Sequence, residues 1–76
     1  MMIDQKTLGD RLRELRKLQG VSQKQLADEL KITQSAISRL ENGEEVYASV
    51  LLAVLRYHQQ HASWHLLLTY LLGPEP

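Results

Sequence analysis

Ser22 and Gln25 stand three residues apart at the head of one short apolar pattern, and Thr33 stands at the head of another. Two helix-start signals so close together leave room for little more than two short helices and a turn. In a capping box the serine hydroxyl accepts a hydrogen bond from the third helical amide, and the glutamine side chain returns to the cap amide. The helix that begins there has Leu26, Ala27 and Leu30 as its apolar face. It must stop early, because Ile32 and Thr33 are β-branched and Thr33 is itself a good cap for the next helix. That further helix runs from Gln34 to about Glu41, burying Ile37 and Leu40, and the Asn42-Gly43 pair ends it as a turn. Its outer face carries Gln34, Ser35, Ser38 and Arg39.

Two short helices joined by a tight turn, the second exposing a row of hydrogen-bonding side chains, make a shape that fits the major groove of B-DNA. Ala27 suits that arrangement. A small residue facing Ile37 lets the helices cross closely, where a leucine would hold them apart.

The flanks add to the pair. Leu8, Leu12, Leu15 and Leu18 line one face of a first helix. Thr7 with Asp10 reads as its capping pair and Gly20 as its left-handed terminator. After Gly43 the unbroken apolar run from Val50 to Leu55 predicts a fourth helix buried on several sides. Gln59 to Ser63 reads as a polar break. A last apolar segment, 63–72, is stopped by Gly73-Pro74. There Trp64, Leu67, Leu68 and Leu71 form one stripe, with more leucine beside it than one small core can cover. That surplus predicts a dimer interface. The expected architecture is all-α, a compact bundle of four to five helices forming a single domain over 1–76 with its core motif at 22–43.

A chain of 76 residues supports one modest core. With no cysteine, neither a disulfide framework nor a thiolate zinc site can reinforce it. The N-terminus lacks the apolar stretch of a secretory signal, and no run is long enough to span a bilayer, so a cytoplasmic protein is the expectation. Nine basic residues balance nine acidic ones. That balance argues against a promiscuous nucleic-acid coat. The basic excess falls before Gly43 and the acidic excess after it, so phosphate contacts belong to the N-terminal two-thirds. No Gly-rich phosphate loop or catalytic serine, histidine and aspartate arrangement is visible, and no enzyme is expected. His58, His61 and His65 are spaced by three and four and would share a helical face. No carboxylate or cysteine nearby strengthens them as a zinc site, so neither metal nor other cofactor is expected.

The stretch Gly20-Val21-Ser22-Gln23-Lys24-Gln25-Leu26-Ala27-Asp28-Glu29-Leu30, continued by Ile32-Thr33-Gln34-Ser35-Ala36-Ile37-Ser38-Arg39-Leu40-Glu41-Asn42-Gly43, closely resembles the lambda-repressor-like (Cro/C1, XRE) helix-turn-helix family. The shared elements are Ser-Gln-x-x-Leu-Ala, the Ile-Ser pair and the closing Glu-Asn-Gly. One departure is Lys31, where the family usually opens the turn with glycine. If the site needs a positive φ, lysine costs about 1 kcal/mol there.

The resemblance implies that the third helix reads DNA, with Gln34, Ser35, Ser38 and Arg39 toward base edges. Gln34 suits adenine N6 and N7, and Arg39 suits guanine O6 and N7. Gln23, Lys24, Thr33 and Asn42 are expected on phosphates, where they fix register without reading sequence. Arg16 and Glu41 match an ion pair that ties the first helix to the end of the third. The expected function is a sequence-specific regulator of transcription, a repressor acting as a homodimer on palindromic double-stranded DNA. The alternative is a protein-interaction module, such as an antitoxin or phage adaptor, that binds another protein through its apolar C-terminal helix.

Overall fold

The computed structural model describes residues 4–61, and within them the chain is all-helical. Helix α1 spans Gln5–Leu18, α2 Gln23–Leu30, α3 Gln34–Glu41 and α4 Ala48–His61. The C-terminal segment 63–72, its stripe of Trp64, Leu67, Leu68 and Leu71, and His65 lie outside the described residues.

The short pair α2 and α3 starts where its caps dictate. Ser22 Oγ accepts from the amide of Gln25 at 3.0 Å, and Gln25 Oε1 accepts from the amide of Ser22 at 2.8 Å. Thr33 Oγ1 accepts from the amide of Ala36 at 3.1 Å. Between the helices Lys31 has φ 58° and ψ 42°, in the left-handed region. The amide of Ile32 then closes back on the carbonyl of Ala27 at 3.0 Å. This closure is the usual Schellman ending, which glycine ordinarily supplies at no steric cost. Lysine there carries the strain of about 1 kcal/mol that a side chain incurs in that conformation.

Helix α1 begins three residues earlier than the Thr7 and Asp10 pattern predicts. Asp4 is the cap, and its Oδ1 accepts from the amide of Thr7 at 2.7 Å. Those bonds from Thr7 hold the Asp4 carboxyl below its ordinary range. Asp10 instead lies 4.0 Å from Lys6, one turn back on the exposed face. At the other end Gly20 takes φ 71° and terminates the helix. The α1 stripe is narrower than its leucine spacing predicts. Leu12 and Leu15 are fully buried and Leu8 packs against the core, but Leu18 is 57% exposed.

The core is built of Leu12, Leu26, Ala27, Ile37, Leu40, Val50 and Val54, drawn from all four helices. Ala27 and Ile37 belong to this one cluster, which fits α2 and α3 crossing closely. Helix α4 corrects two expectations. It is buried along one face, at Val50, Val54 and His58, while Leu52 is 51% exposed; an unbroken apolar run says nothing about which side meets the core. It also continues through Gln59, Gln60 and His61, where a polar break is expected, because polar side chains on the outer face of a helix need no interruption.

Gly9 lets α1 press against the end of α3. A Cβ built there would lie 2.6 Å from the carbonyl oxygen of Leu40 and 2.7 Å from that of Glu41. Backbone therefore meets backbone at this crossing, close to the surface that α3 presents outward.

Candidate nucleic-acid interface

Helix α3 divides cleanly into two sides. Ile37 is completely buried and Leu40 nearly so, which anchors the helix to the core. On the opposite side Gln34, Ser35 and Arg39 are exposed, and Ser38 is partly so. The four residues expected at base edges thus share the outward side of one helix. Thr33, at the head of the same helix, is exposed as well.

Arg39 has company in the free protein. Its Nη2 donates to the carbonyl of Glu45 at 3.2 Å, and its Nε lies 3.9 Å from a Glu44 carboxylate oxygen. Both side chains of the ion pair are 57% exposed, so it is weak and readily exchanged for another acceptor. Lys24 likewise holds Asp28 at 3.0 Å across one turn of α2, with both groups in water.

The end of α3 is fixed by a buried carboxylate. Glu41 is 2% exposed and receives Arg16 in a fork: Nε donates to Oε2 at 2.7 Å and Nη2 to Oε1 at 3.0 Å. The remaining arm of Arg16, Nη1, donates to the carbonyl of Val21 at 2.8 Å. One guanidinium thus joins α1, the loop before α2 and the end of α3. Gln23 joins the cluster, its Nε2 donating to Glu41 Oε1 at 3.0 Å. That nitrogen carries two hydrogens, so a second donor remains beside the one given to Glu41. Geometry of this quality is what a buried ion pair needs to offset its desolvation.

Arg13 is the member that the sequence pattern does not single out. It sits one turn before Arg16 on α1, and its Nε lies 3.6 Å from Glu41 Oε1. Its Nη2 donates to the Glu41 carbonyl at 3.3 Å and to Asn42 Oδ1 at 2.6 Å. Asn42 in turn donates from Nδ2 to Ser38 Oγ at 3.5 Å. The one hint in the sequence is the spacing of three between two arginines on the same helix.

The histidines part company. His58 is fully buried, with Nδ1 2.8 Å from Gln19 Oε1. Burial pushes its pKa down to about 4, with the nearby Glu41 charge opposing that shift. His61 is exposed and stacks on Tyr57, ring centroids 4.2 Å apart. Among the described residues no group of three histidine, cysteine or acidic side chains could hold a metal ion. Nor is any described helix long and apolar enough to cross a membrane.

No curated protein and no solved structure matches the chain. A family model described as helix-turn-helix does, over residues 12–58, from the middle of α1 through most of α4. With the capped α2 and α3 pair, the outward polar side of α3 and this match, the chain belongs to the Cro/C1-type (XRE) helix-turn-helix family, whose members are DNA-binding regulators of transcription.

Proposed function

We propose that the protein is a sequence-specific repressor that binds a palindromic operator as a homodimer, placing two copies of α3 in successive major grooves about 34 Å apart. The observation that carries this reading is the outward side of α3, where Gln34, Ser35 and Arg39 stand exposed on a helix anchored from behind by Ile37 and Leu40. Gln34 pairs with adenine and Arg39 with guanine, while Ser35 and Ser38 make the more tolerant contacts. Lys24, Thr33, Asn42 and the second amide hydrogen of Gln23 Nε2 take phosphates. The stripe of Trp64, Leu67, Leu68 and Leu71 supplies the dimer contact.

Arg39 leaves its weak partners Glu44 and Glu45 to meet the base. Replacing it tests the reading directly. Arg39→Ala is expected to lower affinity for the selected operator by about tenfold or more, at unchanged melting temperature, with little change on a scrambled duplex. Equal losses on both duplexes would remove the base-reading role. Operator affinity should also fall steeply with added salt, since phosphate contacts release counterions.

A further inference from the structure

Three donors and acceptors stand in line from α1 to the reading side of α3. Arg13 Nη2 donates to Asn42 Oδ1 at 2.6 Å, and Asn42 Nδ2 donates to Ser38 Oγ at 3.5 Å. We propose that this line is directional: Arg13 and Asn42 act as positioning residues that occupy a lone pair of the Ser38 hydroxyl and leave its hydrogen free to turn outward, so that Ser38 favours a base edge offering an acceptor. The proposal rests on α3 being the base-reading helix and specifies how one of its side chains reads.

The direction is set by what each group can do. A guanidinium only donates, so the side of the Asn42 amide that faces Arg13 must be its oxygen. The amide nitrogen is thereby turned the other way, toward Ser38. A serine hydroxyl can donate once and accept twice. When its oxygen accepts from Asn42, its own hydrogen is released from any need to satisfy that neighbour. In the major groove, guanine O6 and N7 and thymine O4 are acceptors, whereas cytosine N4 is a donor. With one of its two lone pairs taken by Asn42, the hydroxyl is biased toward donation and so favours guanine or thymine over cytosine at the position it touches. Free serine, with both lone pairs open beside its hydrogen, would discriminate less.

Arg13 is well placed to hold this state. It is partly shielded, its side chain 33% exposed, and it is also drawn to the buried Glu41 carboxylate and to the Glu41 carbonyl. The Asn42 amide thus meets a cation that is itself fixed from two sides.

The test uses the full chain and duplexes selected by it from a random pool. The base touched by Ser38 is the one at which Ser38→Ala erases discrimination. At that position the wild-type protein is expected to prefer guanine or thymine over cytosine by about fivefold, the scale of one hydrogen bond. Arg13→Met and Asn42→Ala should flatten that preference while leaving those at the other positions unchanged, and Arg13→Lys, another donor-only side chain, should restore it. Asn42→Asp should turn the preference toward cytosine. A carboxylate can only accept, so it draws the serine hydrogen inward and leaves lone pairs outward. An equal loss of affinity at every position in Arg13→Met, or an Asn42→Asp protein with the wild-type base preference, would overturn the relay while leaving DNA reading intact. Recovery of no preferred duplex at all would sink both.

Discussion

Two buried polar groups sit near the inner surface of α1, and they are treated in opposite ways. Glu41, at the end of α3, is surrounded by donors: a forked Arg16, the amide of Gln23 and the flank of Arg13. His58, on the inner face of α4, meets one side-chain partner, Gln19, and its Nε2 has no hydrogen-bond partner among the described residues. The first junction keeps a charge inside the protein by satisfying it. The second keeps a titratable group inside by denying it a charge. The lesson is that this small domain gathers its strongest polar contacts at the end of α3 and holds the neighbouring α4 histidine with a single side-chain partner.

Replacing Glu41 with alanine should have the largest effect. It leaves Arg16 buried without its partner, and breaking such a pair costs about 3 to 5 kcal/mol. That is a large share of the stability of a domain this small. Urea denaturation at neutral pH measures it, and a loss below about 1 kcal/mol would show that the junction aims α3 without holding the fold together.

Acidification should act on the other junction. Folded His58 binds a proton only near pH 4, whereas the unfolded chain binds it near the ordinary value of 6.5. Between those values the unfolded state holds more protons, so stability is full above pH 6.5 and falls as the pH drops toward 4. The expected loss is on the order of 2 kcal/mol across that window. Subtracting the same titration of His58→Asn isolates it from the carboxylates, and parallel curves for the two proteins would break the contrast between the junctions.

Lys31→Gly, away from both junctions, gives the smallest change. Relief of the left-handed strain is expected to raise stability by up to about 1 kcal/mol. The increment should be the same at pH 7 and pH 5, which makes this variant the reference against which the other two are judged.

The α2 and α3 pair was legible because its information is local. A capping box, a second cap and a short turn are written within a few residues of each other, and even the demand on Lys31 comes from its place in the motif. Helix α1 was less legible at its start, where Asp4 and Thr7 are both competent caps and only the backbone decides between them. In α4 a run of consecutive apolar residues covers every side of the helix, so periodicity could not tell buried Val54 from exposed Leu52. Arg13 with Asn42, and Gln19 with His58, join residues far apart in the chain. Side-chain contacts of that kind leave no trace in local spacing. At the interface, residue types told which side chains could face a base, but not that Arg39 already rests against the acidic loop just after its helix.

The bare crossing at Gly9 has a mechanical corollary. Where two main chains touch with no side chain between them, there is no soft layer to absorb a change of angle. Helices α1 and α3 must then travel as one piece, and α3 cannot pivot by itself to suit differently shaped grooves. For α3 seated in a groove as proposed, accommodation would fall to the duplex, whose bending and twisting stiffness varies with base composition even at steps the protein never touches. Sites rich in flexible steps would be favoured for that reason alone.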